Sequence, residues 1–270
     1  MNNLHRELAP ISDAAWSRIE DETTRTLKRY LAGRRVVDVP SPGVIALPGV
    51  ATGHLKSIPA PAEGIIANQR EVKPLVELRV PFELSRQAID DVERGSGDSD
   101  WQPAKDAAKK LAFAEDRAIF HGYREASIQG IREATSNPID ALPPDVRNYP
   151  DAVAHALSQL RLVGVNGPYS VVLGANEYTA LAETRDYGYP VLEHVKRIVD
   201  GDLIWGPAIE GAFVLTTRGG DFELNVGQDV SIGYLGHTDS VVRMYLQETF
   251  VFRVLTSEAS IALSPSQKPS

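Results

Sequence analysis

The sequence predicts an α+β fold in which an α/β unit is inserted between two strand-bearing parts. Three observations lead to this prediction. An alanine-rich apolar stripe begins near Pro103 and predicts a long central helix. From Asp151 onwards, short helical and strand patterns alternate, which is typical of an α/β unit. The stretch that begins at Phe222 is dominated by strand patterns, and another strand pattern precedes the central helix.

The first predicted element is an amphipathic helix. Ser12 is a suitable N-cap, and Gly33 is a suitable residue just beyond the C-terminal end. The apolar positions of this helix fall on one face and are Trp16, Ile19, Leu27, Tyr30 and Leu31. A short strand is predicted over residues 36–39, ended by Pro40.

Residues 41–71 show little periodicity and contain many prolines and glycines. An irregular stretch of this length is unusual inside a compact domain, so we expect an extended arm that packs on another subunit. Residues 72–85 then alternate apolar and polar side chains, which predicts a strand. Pro74 and Pro81 place that strand at a sheet edge or make it end there.

The remaining elements are predicted from the same patterns. A short helix is expected near residues 86–93, and the central helix runs from Pro103 towards Thr135 with Gly122 and Gly130 as weak points. A proline-rich connection over residues 137–150 leads into the α/β unit. Helices are then predicted over 152–160, 176–184 with an Asn cap, and 190–199, and strands over 169–173, 203–205, 213–217, 222–226, 230–234, 241–246, 249–255 and 260–263.

Composition restricts the function. The chain has 270 residues, with 28 Lys and Arg against 36 Asp and Glu, so its net charge is −8. This acidic balance argues against nucleic acid or an anionic membrane as the main partner. The lack of cysteine excludes disulfides, thiolate metal sites and thiol nucleophiles. Neither a secretory signal nor a membrane-spanning stretch is recognised, so the expected location is the cytoplasm.

No motif in the sequence indicates a catalytic or metal site. The six histidines are far apart, and none forms a zinc-binding pair. Ser96 lies between two glycines, but at the wrong spacing for a nucleophile elbow. The acidic groups near residues 90–93 and 98–100 fit a solvated helix end and a turn. A hydrolase with an unrecognised site remains an alternative, whereas the predicted arm favours an obligate assembly.

Several segments, in order along nearly the whole chain, resemble encapsulins, and the resemblance is closest to the mycobacterial type. They are residues 8–11 (LAPI) with Trp16, 80–84 (VPFEL), 167–169 (GPY), 219–224 (GGDFEL), 227–234 (GQDVSIGY) and 248–253 (ETFVFR). The resemblance implies the fold of tailed-phage major capsid proteins. It assigns residues 1–42, 74–136 and 218–263 to a peripheral domain, 43–73 to an extended loop and 137–217 to an axial domain, with a disordered tail over 264–270.

The resemblance also implies the function. Encapsulins are non-catalytic subunits of a self-assembling icosahedral shell in the cytoplasm, and the smallest such shell needs about 60 copies. The cargo of related shells is a dye-decolourising peroxidase or a ferritin-like protein, held through a C-terminal peptide of the cargo. The positions that match the peptide-binding site are Leu27, Tyr30, Leu31, Arg34, Asp38, Val39, Asp229, Ile232 and Tyr234. The alternative is that the leucines only pack the first helix on its own domain.

The resemblance places the loop over residues 185–193 around the five-fold axis of the shell. There Asp186, Tyr187, Gly188, Tyr189 and Pro190 would set the width and charge of a pore, with an ordinary surface turn as the alternative.

Two further implications concern cofactors and nucleic acid. Some encapsulins bind flavin beside a Trp that follows the Pro-Phe-Glu-Leu segment, but this chain has Gln87 there. We therefore predict no flavin or other cofactor and no metal. A prophage capsid protein with the same fold is a second alternative. It should present a basic interior for nucleic acid, which the net charge of −8 argues against.

Overall fold

The structure is a computed structural model that describes residues 3–265. Its α-helices are α1 (Asp13–Tyr30), α2 (Arg86–Glu93), α3 (Gln102–Phe120), α4 (Ile131–Ala134), α5 (Tyr149–Leu162), α6 (Ala175–Glu183) and α7 (Val191–Ile198). Its strands are β1 (Gly49–Ile58), β2 (Ala67–Pro74), β3 (Val76–Ser85), β4 (Asp140–Ala141), β5 (Tyr169–Leu173), β6 (Arg185–Asp186), β7 (Tyr189–Pro190), β8 (Leu203–Trp205), β9 (Ala212–Thr216), β10 (Phe222–Val226), β11 (Ser231–His237), β12 (Val241–Val254) and β13 (Ser260–Ser264). Of the predicted disordered tail, residues 266–270 lie outside the described residues, and Ser264 ends β13.

Helix α1 begins as predicted. The Ser12 hydroxyl accepts a hydrogen bond from the Ala15 N–H at 3.3 Å, which satisfies one of the free amides of the first turn. The C-terminal end differs from the prediction, because α1 stops three residues before Gly33 and that glycine opens a short 3₁₀ turn. Gly33 is needed for packing instead, since a Cβ there would lie 2.5 Å from Cδ1 of Ile119 on α3.

The strand predicted over residues 36–39 is wrong. Only Asp38 pairs, in an isolated parallel bridge with Glu223. Its backbone exchanges hydrogen bonds with Phe222 and Leu224 of β10 and then departs. A single residue in register is too little for a strand, and Pro40, which follows closely, has no N–H to extend the pairing.

The arm is ordered rather than irregular. Strands β1 and β2 form an antiparallel hairpin that pairs Gly49 with Pro74 at one end and Ile58 with Ala67 at the other, with a register shift between Ala51 and Leu55. Most of its residues are exposed. Because neither face of this hairpin is buried by its own chain, its sequence lacks the alternation that marks a half-buried strand.

The central helix is shorter than predicted. Helix α3 stops at Phe120, and Gly122 has a left-handed backbone, φ +88°, which turns the chain away. The chain returns at Gly130, where a Cβ would overlap the backbone of Gly122, and α4 begins only there. The predicted central helix is therefore interrupted between its two glycines, Gly122 and Gly130, whose backbones approach closely.

The first sheet is built around β12, which pairs with β10, β11 and β3. We expected two strands here, but β12 is continuous because Gln247 and Glu248, which interrupt the apolar pattern, are themselves buried. Strand β3 has no second strand partner within residues 3–265, so the predicted edge position of Pro81 is confirmed. Helices α1 and α3 pack beside this sheet through one apolar core.

The second sheet has the order β4-β13-β9-β5-β8, with α5 and α7 packed on its buried strands. It contains the predicted α/β unit. Two details differ from expectation. The last strand, β13, pairs with β9 and β4 and so joins this sheet instead of the first one. Helix α6 starts after Gly174 without a side-chain cap, so Asn176 is not its N-cap.

Two further observations complete the fold. A shared core joins the two sheets, with Phe213 of the second sheet and Phe250 of the first in the same buried cluster. Among residues 3–265, no helix combines the length and the apolar character needed to cross a bilayer.

Replacing Gly233 with alanine should destabilise the first sheet. A Cβ on Gly233 would overlap the ring of Tyr245 on β12, and that ring is fixed by Arg79 over its face and by the bond from its hydroxyl to the Asn3 carbonyl. Overpacking of this kind costs about 1–3 kcal/mol, measurable by denaturant unfolding. Gly97→Ala is the matched control because a Cβ there would have open space around it, with no other side chain or distant backbone of the described residues within 4 Å. Equal stability of the two variants would contradict the prediction.

Candidate functional site

A groove of about 370 Å³ lies beside the C-terminal half of α1. Leu27 and Leu31, one helical turn apart, form its apolar wall. Arg34 and Asp229 form its polar end. Its other lining residues are Thr24, Lys28, Arg35 and Val230. The structure therefore brings together four of the nine residues predicted to bind a cargo peptide.

The other five predicted residues lie elsewhere. Ile232 is buried in the core beneath α1, and the Tyr234 hydroxyl is hydrogen-bonded to the His237 ring. Val39 is exposed but does not line the groove. Two further residues, Tyr30 and Asp38, belong to different surroundings and are described next.

Tyr30 points away from the groove, because its ring packs against Phe113 and Trp205, each at 5.7 Å between ring centroids. Asp38 accepts a hydrogen bond from the Gly220 N–H and lines a separate small cavity. These two residues were predicted from the resemblance alone. Their side chains are committed to contacts within the subunit.

Arg34 is the centre of an ion-pair cluster at the polar end of the groove. Its Nε lies 2.9 and 3.0 Å from the two carboxylate oxygens of Glu115, and its Nη1 lies 2.8 Å from Asp229. Its Nη2 reaches Glu248 at 3.2 Å. The Arg34 side chain is 19% exposed, whereas those of Glu115 and Glu248 are 0% and 1% exposed. A single guanidinium therefore faces two fully buried carboxyl groups.

This burial shifts the pKa values of the cluster. Burial disfavours the charged form of Arg34, but hydrogen bonds and charges from Glu115 and Asp229 outweigh it and raise the pKa of the guanidinium. Burial raises the pKa of Glu248 well above its usual range, and the neighbouring charge of Glu115 raises that pKa further.

Asp116, next to Glu115 on α3, fixes the backbone that carries Arg34. Its carboxylate accepts hydrogen bonds from the N–H groups of Ala32 and Gly33, at 2.9 and 2.8 Å. Burial raises the pKa of Asp116 to about 7, although these two bonds act in the opposite direction. The segment that follows α1 is thus attached to α3 through both its backbone and its Arg34 side chain.

Reasoning from sequence missed these buried acids. The predicted stripe of the central helix was built from alanines, but Ala114 is exposed while Glu115 and Asp116 are buried. The spacing contained the signal, because Glu115 follows the buried Leu111 by four residues and precedes Ile119 by four. A charged residue at such a position indicates a partner inside the fold.

The predicted pore loop is a tight β-hairpin made by β6 and β7. Tyr187 and Gly188 occupy its turn with φ values of +45° and +88°, as a two-residue hairpin turn requires. Tyr187 is fully exposed at the tip, and Tyr189 is 60% exposed beside it. In the part of the chain that the structure describes, no group of three or more His, Asp or Glu side chains is placed to hold a metal ion.

Comparison with known proteins decides the family. Residues 1–251 match the family described as "Encapsulating protein for peroxidase". The chain is 62% identical over 264 residues to the type 1 encapsulin shell protein of Mycobacterium tuberculosis, and the match covers 98% of this chain and 100% of that protein. This chain belongs to the encapsulins. The type 1 encapsulin shell protein of Rhodospirillum rubrum is 44% identical over 270 residues, covering 97% of this chain and 96% of that protein.

Solved structures confirm the capsid-like fold. A virus-like particle from Pyrococcus furiosus matches with a TM-score of 0.65 at 18% identity, covering 92% of this chain and 99% of that chain. The capsid of an empty GTA particle matches with a TM-score of 0.52 at 17% identity, covering 88% of this chain and 90% of that chain. Encapsulins are structural shell proteins, so this encapsulin chain is a shell subunit and not an enzyme.

Proposed function

We propose that this chain forms a closed icosahedral shell of about 60 copies in the bacterial cytoplasm and encloses a peroxidase. A dye-decolourising peroxidase is the favoured cargo and a ferritin-like protein the second. The cargo docks through a C-terminal peptide in the groove formed by Leu27, Leu31, Arg34 and Asp229. Support for a peroxidase comes from the family's description, and support for docking comes from the shape and lining of the groove.

The groove suits a short peptide with one or two apolar side chains. Leu27 and Leu31 offer an apolar wall that an apolar peptide residue can cover. Leu27 is already largely buried in the core, so the apolar area newly removed from water belongs mainly to Leu31 and the peptide. Asp229 is half exposed and can accept a hydrogen bond from a peptide N–H or a basic side chain. This combination of an apolar wall and a polar end is the observation on which the docking proposal rests.

Replacing Leu31 with aspartate should reduce cargo loading at least about tenfold, because it removes the half-buried apolar contact and puts in its place a carboxylate that docking of an apolar residue would desolvate. Shells are produced together with a dye-decolourising peroxidase that carries its C-terminal peptide, and the ratio of peroxidase to shell protein is measured in purified particles. The parallel preparation with a truncated peroxidase defines the background.

Thr26→Asp is the matched control for this experiment. It adds the same charge to α1, but Thr26 lines the cleft towards α3 and not the groove. We expect Thr26→Asp shells to load cargo like the wild type. Unchanged loading in Leu31→Asp shells would contradict docking in this groove, and so would equal loss in both variants.

We further propose that the β6–β7 hairpin lines a pore through which small molecules enter. The hairpin residues are Asp186, Tyr187, Gly188, Tyr189 and Pro190, and the exposed side chains of Tyr187 and Tyr189 support this proposal, since rings of exposed side chains set the width of a channel. Replacing Tyr187 with alanine should widen the pore. The enclosed peroxidase should then oxidise a bulky dye faster, with its rate on a small phenol unchanged. The free peroxidase is the control, and equal dye rates in both shells would contradict the proposal.

The proposal includes neither nucleic acid nor flavin as a partner. Gln87 is exposed on α2 and offers an amide, but no aromatic face on which a flavin ring could stack. Nuclease-treated shells should show the absorbance ratio of pure protein at 260 and 280 nm. A ratio typical of packaged nucleic acid would favour the prophage capsid alternative.

A further inference from the structure

We propose that Glu115 and Glu248 share one negative charge, with the proton on Glu248, and that this protonated pair positions Arg34 at the end of the groove. The assignment of the proton depends only on the geometry of the cluster. Its consequence for cargo loading rests on the proposed docking function.

The contacts distinguish the two carboxyl groups. Glu115 accepts from both Nε and Nη2 of Arg34, a two-pronged arrangement that is strongest for an ionised carboxylate. Glu248 makes one longer contact to Nη2, at 3.2 Å. Its other oxygen, Oε1, is buried and has no hydrogen-bond partner within residues 3–265. An ionised carboxylate left in that condition would be costly, whereas a protonated Glu248 is neutral and can donate its proton in a side-chain hydrogen bond to Glu115.

The charges around the pair lead to the same assignment. The charged groups that face Glu248 are Glu115 of α3, Arg34 after α1 and Asp229 before β11. Only Arg34 is positive, and it already pairs with Glu115 and Asp229. A third negative charge here would be buried without a partner, so the proton stays on Glu248.

Ionisation of Glu248 has a predictable effect on stability. Burial and the charge of Glu115 raise the pKa of Glu248 from its ordinary value of 4.5. Above that ordinary value the unfolded chain has lost a proton that the folded subunit keeps. Stability is therefore fully present below it and is lost as the pH rises towards the raised pKa, about tenfold in the unfolding equilibrium constant per pH unit.

The test compares assembled shells of four kinds: wild type, Glu248→Gln, Glu115→Gln and the double variant. Glutamine mimics a protonated glutamate and cannot ionise. The midpoint temperature of thermal unfolding is measured from about pH 5 to about pH 8, a range above the ordinary pKa of glutamate. We expect the wild type to lose stability relative to Glu248→Gln as the pH rises. In Glu115→Gln, Glu248 becomes the buried counter-ion of Arg34 and ionises. This variant should therefore also lack the fall in stability with pH that comes from ionisation of Glu248.

Asp116 contributes its own pH dependence, which cancels between the wild type and Glu248→Gln because both keep Glu115. In the two variants without Glu115 the pKa of Asp116 is lower, because the charge of Glu115 helps to raise it, so the proton assignment is judged on the first pair alone. Each single variant keeps one of the two buried carboxyl groups in contact with Arg34, so we expect both variants to assemble. Within residues 3–265, the double variant leaves Arg34 with the half-exposed Asp229 as its only ion-pair partner, and we expect a loss of stability larger than the sum of the single losses.

If the midpoint temperatures of wild type and Glu248→Gln changed with pH in parallel, the proton assignment would be overturned. Failure of both single variants to assemble would overturn it too. For the groove, the double variant should load at least about tenfold less peroxidase than either single variant, because its Arg34 is no longer held. Equal loading in intact double-variant shells would overturn the positioning role. If wild-type shells load no peroxidase through its C-terminal peptide, the docking proposal fails, while the pH comparison still decides where the proton lies.

Discussion

Replacing Arg34 with alanine is expected to destabilise the subunit by about 3–5 kcal/mol, because it leaves the buried Glu115 carboxylate without its counter-ion and removes the contact from Arg34 to Glu248. Glu115 and Glu248 are 0% and 1% exposed, so both carboxyl groups depend on contacts within the protein. The loss corresponds to a fall in the thermal midpoint on the order of 10 °C. Differential scanning calorimetry of purified shells measures the fall in the thermal midpoint, and the yield of assembled particles is recorded beside it.

Arg35→Ala is the control for this prediction. Arg35 is the next residue and also pairs with an acid, but it and Asp202 are 50% and 69% exposed and lie 3.4 Å apart. Such a surface pair contributes about 0–1 kcal/mol. Adding Glu115→Gln and Glu248→Gln to the Arg34→Ala variant should restore part of the lost stability, since the uncompensated charge is then removed. A loss in Arg34→Ala no larger than that in Arg35→Ala would contradict the argument.

Replacing Leu55 and Ile66 of the arm with aspartate is expected to abolish shell assembly and leave the subunit folded. These side chains are 62% and 89% exposed, and further exposed apolar residues share the hairpin, namely Ile58, Ile65 and Val72. An apolar surface of this kind on a shell subunit marks a contact with neighbouring copies. A buried unpaired carboxylate at that contact costs several kcal/mol, and the cost recurs at every copy of the interface.

Particle formation is measured by negative-stain microscopy and light scattering, and folding by circular dichroism. The double variant Asn68→Asp with Gln69→Asp is the matched control, because it adds the same two charges to exposed polar positions of the same hairpin. We expect shells from this control. Normal shells from the Leu55 and Ile66 variant would show that the arm is not an interface, whereas an unfolded variant would show that the arm stabilises its own subunit.

Local patterns predicted the elements whose burial is settled by their own sequence. The N-cap of α1, the helix α2, the wholly buried β5 and the alternating β10 follow from capping chemistry and apolar periodicity. The arm was predicted from the lack of apolar periodicity over residues 41–71, which reflects the lack of an apolar face buried in its own chain. Its pairing into a hairpin was missed for the same reason, since exposed strands carry no alternation.

By itself, then, the sequence determined the α+β class, the arm, the absence of thiol chemistry and, through its resemblance to encapsulins, the family. Tertiary structure alone decided that β12 is continuous, that β13 joins the second sheet, and that Glu115, Glu248 and Arg34 meet beside the groove. These three residues lie far apart along the chain, and a carboxyl group is buried only where a partner arrives from elsewhere in the fold. Spacing along one helix can show that Glu115 faces inward, but only the packing of α1, α3 and β12 supplies the guanidinium that makes its burial stable.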